Sequence, residues 1–468
     1  MGSQPGLTEI PDLTPLERVG PKGYLRYVFP FQLPVDYDLE QVASVLKAGY
    51  DSARRRIAVL DCEAVPDPDA RQAGVLKLKR LPPGDVDGDV VVKDLRAPGA
   101  FPMTYAELEA KGFPVSAFDA ETVMRRSVWP FPGERLPVSL PQANFIQGGL
   151  ILSWCIFHMF GDGKTFLIWT KIWAEECRRA QGLDIIDPFK LDDALIRDRP
   201  RLMKPTGKNK GRPEDHTQYN ILPFTPEGLP PKLLSDSHRG QVFYFSPEAL
   251  DRLKAEANPQ KATQPTKQTW ISTNDAVSAL LWRTVMAVQS PLETLEGDPT
   301  SVYNIAVDAR LRTDPPVHPQ TAGCFLAYVG ASAPARKMLG SWTIADLAVL
   351  IRESLARADG QFVDDLSTLI DRVEDVSRFI PTALLDVPGF NCVQTSWANF
   401  SLYDVQWGPA LGDTIRAVRS PHVGVINGAQ VVLPMLPDGG MEMLVGVEAS
   451  CLDRLLREPL WMKFAMPR

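Results

Sequence analysis

Hydrophobic and polar positions switch between strand-like and helix-like spacing along the first half of the chain. Residues 24–34 (YLRYVFPFQLP) and 142–157 (QANFIQGGLILSWCIF) are apolar runs typical of buried strands, and Gly148–Gly149 marks a turn within the second. Residues 38–60 repeat apolar positions at helical spacing after an acidic start, whereas residues 65–103 alternate short β-branched runs with Pro, Gly and Asp. These patterns predict a mixed α/β fold.

The second half repeats this mixture after a polar interruption. An amphipathic helix is predicted up to Gly182, and a polar, Pro-rich, basic segment then follows (RDRPRLMKPTGKNKGRPEDHTQ), which cannot bury enough apolar surface to order itself. Further strands and helices are predicted beyond it, including the helix STNDAVSALLWRTVMAVQ. We therefore predict an N-terminal lobe over 1–205, a crossover linker over 206–238 and a C-terminal lobe over 239–468.

Composition narrows the class of protein. The 468 residues exceed the usual size of a single core, and 44% hydrophobic residues allow a sizeable one. A net charge of −7 disfavours a nucleic-acid partner, and no apolar run reaches the roughly 20 residues that span a bilayer. Six scattered cysteines without a CxxC pair predict free thiols and no metal site, and the N-terminus lacks the features of a secretory signal. We expect a cytoplasmic protein without a membrane partner.

The stretch HMFGDGKT at residues 158–165 has two chemical interpretations. Its last residues match the end of a phosphate-binding loop, but that loop needs glycine at the position of His158, so we reject this reading. Alternatively, His158 is a general base, because imidazole accepts and returns a proton near neutral pH. A hydrogen-bonded core histidine remains the alternative. His158 alone follows an apolar strand in a Gly-rich loop, among the histidines at 158, 216, 238, 318 and 422.

Four ordered blocks carry a family resemblance. HMFGDG resembles the H-x-x-x-D-G signature of the BAHD acyl-CoA-dependent acyltransferases, and DVQWG (Asp404 to Gly408) resembles their D-F-G-W-G signature. STNDAVSALLWR and VDARLRTDPPVHPQTAG are similar to two segments between them. DVQWG departs from the usual second signature, and Cys324 stands where plant members usually carry Asn. These looser forms resemble the fungal branch, which includes trichothecene 3-O-acetyltransferases.

The resemblance implies a fold, a reaction and partners. The fold would be two similar mixed-sheet lobes of the chloramphenicol-acetyltransferase type, with the active site in a channel between them. The reaction would be direct transfer from acyl-CoA, most simply acetyl-CoA as co-substrate, to a small-molecule alcohol of fungal secondary metabolism, by a monomeric enzyme. His158 would act as general base without an acyl-enzyme, which agrees with the lack of a G-x-S-x-G nucleophile motif.

The resemblance also suggests roles for other residues. Trp397 would donate its indole N–H to the thioester carbonyl, or alternatively pack in the core, and Thr395 would contact the acceptor. Asp162 would be structural and would pair with an arginine, and Gly163 would permit a sharp backbone turn. Asp404 would form a structural salt bridge with Arg310, with Trp407 and Gly408 packed beneath it.

The resemblance places coenzyme A binding at the start of the predicted helix STNDAVSALLWRTVMAVQ. Lys267, Ser272 and Thr273 precede or open this helix, which the family uses beside its CoA tunnel. Ser272 or Thr273 could equally be only the N-cap of the helix, and Lys267 an ordinary solvated lysine.

Two other classes of function remain open. A condensation-type transferase or cyclase of the same fold would use an amine acceptor or a carrier-bound thioester. A binding module that keeps the fold without catalysis is disfavoured by the intact His158, Asp162, Gly163 and Thr395-Ser396-Trp397 set.

Overall fold

The computed structural model describes residues 12–190, 199–228, 237–387, 389–421 and 429–468. Its strands are β1 (Tyr24–Gln32), β2 (Cys62–Pro66), β3 (Leu76–Arg80), β4 (Val91–Asp94), β5 (Leu136–Pro137), β6 (Ser139–Ile146), β7 (Gly149–Phe157), β8 (Tyr219–Ile221), β9 (His238–Phe245), β10 (Thr300–Asp308), β11 (Leu326–Pro334), β12 (Phe379–Pro381), β13 (Cys392–Ser396), β14 (Ala429–Val432), β15 (Met441–Glu448) and β16 (Met466–Pro467). Its α-helices are α1 (Pro15–Arg18), α2 (Leu39–Arg56), α3 (Tyr105–Ala110), α4 (Ala120–Val123), α5 (Gly163–Ala180), α6 (Arg199–Leu202), α7 (Pro247–Glu256), α8 (Thr273–Gln289), α9 (Ala335–Leu339), α10 (Ile344–Ala356), α11 (Gly360–Arg372), α12 (Leu452–Leu455) and α13 (Pro459–Met462).

The first half is built on a four-stranded sheet in the order β1-β7-β6-β4. The predicted strand pair is confirmed: β6 and β7 form an antiparallel hairpin, and Gly148 at its turn has a φ of +74°, which favours glycine. The helices α2 and α5 pack against each other so closely that a Cβ on Gly49 would lie 2.5 Å from the sulfur of Cys177. Helix α5 begins at Gly163, where the HMFGDG stretch ends.

The second half is built on a seven-stranded sheet in the order β11-β10-β13-β14-β15-β9-β16. Strand β13 lies parallel to both β10 and β14, and the other four pairs of this sheet are antiparallel. Helix α8 packs on this sheet through Trp282, whose indole N–H donates to Ser301 at 2.8 Å. Two smaller sheets, β12-β8 and β3-β2-β5, complete the mixed α/β fold that the sequence predicts.

The two halves interlock instead of separating cleanly. Residues 412–419, from the second half, run along β1: Val28 and Arg419 exchange backbone hydrogen bonds of 2.8 and 2.9 Å. The guanidinium of Arg419 is buried and pairs with Glu442 at 2.7 Å, so this end of the crossing segment is held by both its backbone and its side chain. The boundaries predicted at 205 and 239 remain predictions.

The polar segment predicted as a linker is held by carboxylates of α11. Thr206 donates its backbone N–H to Asp364 at 2.8 Å, and His216 contacts Asp365 at 2.8 Å. Residues 229–236 of the predicted linker lie outside the described residues, and so do residues 191–198 before it, the N-terminal residues 1–11 and His422. Within the described ranges, no helix is both long and apolar enough to cross a membrane.

Candidate active site

His158 directly follows the apolar strand β7 and opens a short 3₁₀ turn, His158–Phe160. Its backbone N–H donates to the carbonyl of Gly23 at 2.8 Å, so the turn is tied to the start of β1. The side chain keeps part of its surface exposed, unlike the strand residues before it. Its Nδ1 lies 4.0 Å from the sulfur of Cys324, which leaves Nε2 as the nitrogen available to an acceptor.

The environment of His158 favours the neutral imidazole. Burial lowers its pKa below the ordinary histidine value, although hydrogen bonding to backbone and the charge of Asp162 partly oppose this. A neutral ring is the form that can accept a proton, so these surroundings suit a general base.

Both carboxylate oxygens of Asp162 accept hydrogen bonds from neighbouring residues. Oδ1 accepts from the backbone N–H of Thr165 at 3.0 Å, which caps α5, and from Arg310 Nη2 at 3.1 Å. Oδ2 accepts from Arg310 Nη1 at 2.7 Å and from the backbone N–H of Phe325 at 2.9 Å. Burial would raise the pKa of Asp162, but Arg310 and these hydrogen bonds outweigh burial and lower it. Both oxygens are occupied, which favours a supporting role over one in orienting His158.

The predicted salt bridge between Asp404 and Arg310 was wrong. The guanidinium of Arg310 is fully buried and binds Asp162 and Asp308, at 2.7 and 2.9 Å. Asp404 is exposed in a surface depression beside Lys171. Burial and the charge of Lys164 lower the pKa of Lys171, and the charge of Asp404 only partly opposes this. A solvated carboxylate such as that of Asp404 gains little stability from an ion pair, whereas the buried charge of Asp162 needs a cation nearby to offset its loss of hydration.

The rest of the second signature packs as structure. Trp407 is fully buried, with its ring edge-on to Phe31 at 5.4 Å and to Trp173 at 5.5 Å. Gly408 has a φ of +90°, and a Cβ there would meet the side-chain amide of Gln181 at 2.5 Å. Both residues therefore pack at the C-terminal part of α5, and not beneath an Asp404–Arg310 pair.

Gly163 has a role different from the predicted one. It is the first residue of α5, and its φ does not lie in the left-handed region, so no sharp turn depends on it. A Cβ there would approach Cε2 of Phe400 to 2.5 Å and Cδ1 of Trp397 to 3.7 Å. Glycine thus lets the aromatic rings of the second half approach the start of α5.

Gly163→Ala is expected to destabilise the protein by about 1–2 kcal/mol, because the half-buried ring of Phe400 must move. Urea unfolding measures the loss. Adding Phe400→Leu, which shortens the obstructing ring, should recover part of it in the double variant. Full stability of Gly163→Ala alone would contradict the close approach.

Thr395 lies on β13, and Trp397 directly follows the end of that strand. Trp397 is 3% exposed, and its ring lies 4.7 Å from that of Tyr27, on β1. Among the described residues, none accepts a hydrogen bond from its indole N–H. The fully enclosed indole nitrogens without a partner are those of Trp129, Trp169, Trp407 and Trp461. Trp397 therefore packs in the core with its indole N–H unpaired among the described residues, and Thr395, two residues before it, is partly exposed.

The residues predicted to bind CoA lie around the start of α8. Ser272 caps the helix by accepting from the backbone N–H of Asp275 at 3.2 Å, while the Asp275 carboxylate accepts from the Ser272 N–H at 2.7 Å. The alternative that Ser272 is an N-cap is therefore confirmed. Thr273 is the first helical residue, and Lys267 is exposed on the preceding loop. A role in CoA binding stays a prediction for all three.

Sequence reasoning missed the surroundings of Cys324. Glu17 and Arg199 form a buried ion pair of 2.8 Å next to this residue, although neither belongs to a recognisable motif. The one available signal was that Cys324 follows Gly323 in place of the Asn of plant members. Within the described ranges, no group of three or more His, Cys, Asp or Glu side chains could hold a metal ion.

Comparison with known proteins agrees with this geometry. The sequence profile of the Transferase family matches residues 119–452, and that of the trichothecene 3-O-acetyltransferase-like N-terminal domain matches residues 24–167. The trichothecene 3-O-acetyltransferase TRI101 of Fusarium sporotrichioides is 26% identical over 400 residues, which cover 80% of this chain and 79% of that protein. The enoyl-CoA isomerase/hydratase claC of Penicillium crustosum is 26% identical over 96% of this chain, which spans only 50% of that longer protein.

The fold also matches a solved structure. The crystal structure of TRI101 from F. graminearum, complexed with coenzyme A and deoxynivalenol, superposes with a TM-score of 0.81 at 23% identity, over 97% of this chain and 98% of that one. This likeness confirms the mixed α/β, two-lobed fold. Because the family profile covers most of the chain, the protein belongs to the Transferase family, the BAHD acyltransferases.

Proposed function

We propose that the protein transfers an acyl group, acetyl in the simplest case, from CoA to a hydroxyl of a fungal secondary metabolite. The observation that carries this proposal is that His158 lies just before the start of α5, while Cδ1 of Trp397 would lie 3.7 Å from a Cβ on Gly163, the first residue of that helix. Nδ1 of His158 faces a buried thiol, so Nε2 is left for an acceptor, and the indole N–H of Trp397 has no partner among the described residues. The named acetyltransferases among the fungal relatives support the choice of acyl group.

The reaction needs one base and one hydrogen-bond donor. Nε2 of neutral His158 takes the proton of the acceptor hydroxyl as its oxygen attacks the thioester carbonyl carbon. The indole N–H of Trp397 donates to the oxyanion that forms. The C–S bond then breaks, and the imidazolium returns its proton to the departing thiolate of CoA. No bond to the enzyme forms at any step, and Thr395 orients the acceptor.

Coenzyme A itself is proposed to lie against the loop before α8. The exposed ammonium of Lys267 would meet a phosphate group, while Thr273, next to the Ser272 cap, would present the first N–H group of a 17-residue helix. We further propose, as the sequence suggests, that the enzyme acts as a cytoplasmic monomer, and gel filtration tests the oligomeric part.

Binding of free CoA separates this proposal from a condensation-type transferase. Titration calorimetry with acetyl-CoA should show saturable binding to the wild-type chain and weaker binding to Lys267→Ala. Lys254→Ala, which changes an exposed lysine on α7, is the matched control. Lack of CoA binding together with turnover of a carrier-tethered thioester would instead favour the condensation-type reaction.

The pH dependence of kcat/KM should follow the neutral imidazole. Because burial lowers the pKa of His158, the acidic limb is expected to have its midpoint below about 6.5, the ordinary histidine value. Activity is thus retained as the pH falls toward that midpoint and is lost below it, where the ring becomes protonated. Initial rates across acid and neutral pH measure this limb. A midpoint above the ordinary value would contradict the described environment.

A further inference from the structure

We propose that Cys324 is a positioning residue for His158, an inference that rests on the proposed function. Its sulfur is the side-chain atom that meets Nδ1, at 4.0 Å, and it reaches that place from the second half of the chain. Cys324 is fully buried, so this contact lies on the side of the imidazole away from any acceptor. The thiol limits rotation of the ring and keeps Nε2 directed at the substrate.

The backbone around Cys324 is fixed first by the Asp162–Arg310 pair. The carbonyl of Gly323 accepts from the hydroxyl of Thr165 at 2.7 Å and from Arg310 at 3.1 Å. On the other side, the N–H of Phe325 donates to Asp162 at 2.9 Å. The residues before and after Cys324 are therefore both bonded to one buried ion pair, which also caps α5.

A second buried ion pair holds the same segment from the opposite side. Arg199 donates to both oxygens of Glu17, at 3.0 and 2.8 Å, and also to the carbonyl of Ala322 at 2.9 Å. Glu17 in turn accepts from the backbone N–H of Cys324 at 3.3 Å. Gly323 adopts a φ of +141°, and a Cβ there would lie 2.2 Å from Oε1 of Glu17, so only glycine fits this approach.

The N-terminal segment also borders the thiol. A Cβ on Gly20 would lie 3.5 Å from the sulfur of Cys324, so this segment limits the space beside the sulfur. The two buried ion pairs hold the backbone before and after Cys324, and its sulfur thereby stays in contact with Nδ1 of His158. A displacement of about 1 Å in a catalytic group can lower a rate about 100-fold, so such a device has a measurable effect.

The chemistry of the thiol favours positioning over attack on the acyl group. Burial, together with the charges of Asp162 and Glu17, raises the pKa of Cys324 well above the ordinary value. The reactive form of cysteine is the thiolate, which this environment disfavours. A neutral thiol remains a small packing group and a weak hydrogen-bond partner for imidazole.

Substitution of Cys324 tests the inference. Cys324→Ala should lower kcat about 10- to 100-fold while KM for acetyl-CoA changes less than about twofold, because the base is misplaced and the CoA loop is untouched. Cys324→Ser keeps a polar atom and should stay within about threefold of wild type. If the alanine variant does not fold, Cys324→Val fills the space without a polar atom and should show the same loss. Cys62→Ala is the control, since Cys62 is equally buried but lies on β2.

Two further measurements separate positioning from other roles. In Cys324→Ala the acidic limb of kcat/KM should move to higher pH, because water can reach Nδ1 and stabilise the charged ring. NMR titration of the His158 imidazole should show the same upward shift without substrate, so the contact is tested even if no CoA donor is turned over. An unchanged kcat and an unchanged imidazole titration in Cys324→Ala would overturn the inference. An acyl adduct on Cys324, detected by mass spectrometry of quenched turnover, would also overturn it in favour of a nucleophilic cysteine.

Discussion

His158→Ala is expected to lower kcat by about 100- to 10,000-fold, the range that loss of a general base produces. Without the imidazole, no group in the described part of the site is placed to take the proton of the attacking hydroxyl. CoA binding should remain within about threefold of wild type, because the proposed phosphate contacts at Lys267 lie elsewhere. Release of free thiol from acetyl-CoA in the presence of an acceptor measures the effect.

The variant should fold, because the backbone N–H of His158, which ties the turn to Gly23 at 2.8 Å, is unchanged by the substitution. His318→Ala is the matched control, since His318 is exposed in a turn outside the site and should retain wild-type activity. Full activity of His158→Ala with an unchanged unfolding midpoint would refute the role of His158 as base.

Arg310→Ala is expected to lower the free energy of unfolding by about 3–5 kcal/mol, the largest stability effect that we predict. Arg310 is fully buried, and its loss would leave the carboxylate of Asp162 buried without its cation. Arg310 also donates to the carbonyls of Thr321 and Gly323, which would lose these partners. Urea unfolding followed by tryptophan fluorescence measures the change.

Asp308→Asn is the informative control for that experiment, because it removes the other carboxylate that contacts Arg310. The Asp308 side chain is 42% exposed, so its contact should contribute no more than about 1 kcal/mol. Arg310→Lys should recover little of the loss, since an ammonium cannot reproduce the forked contacts of the guanidinium. Equal destabilisation by Asp308→Asn and Arg310→Ala would contradict the different burial of the two contacts.

Single helices, strands and hairpins could be predicted from the sequence where neighbouring residues carry the pattern. The hairpin around Gly148, the helix that begins after Asp162 and the capped start of α8 all follow from apolar spacing and capping chemistry. His158 stood out for the same reason, since it directly follows an apolar strand. The crossing of residues 412–419 onto β1 carries no such signal, because strand pairing over that distance depends on the whole fold.

The site was less predictable where one charged residue has several possible partners of opposite charge in the sequence. Asp404 and Asp162 were both candidates for pairing with an arginine, and only burial distinguishes them. Gly163 was assigned to a turn because glycine often has that role, whereas space for Phe400 is what it provides. The ion pair of Glu17 with Arg199 joins residues 182 positions apart and resembles any other two charges in the sequence.

Equimolar formation of an ester and free CoA is the most direct test of acyl transfer to an alcohol. The wild-type chain is incubated with acetyl-CoA and a panel of hydroxyl-bearing fungal metabolites, with thiol release followed by absorbance and products by mass spectrometry. We predict acceptor-dependent release of one CoA for each ester formed, and its loss in His158→Ala but not in His318→Ala. Acceptor-independent thiol release, or ester formation that persists in His158→Ala, would contradict direct transfer with His158 as the base.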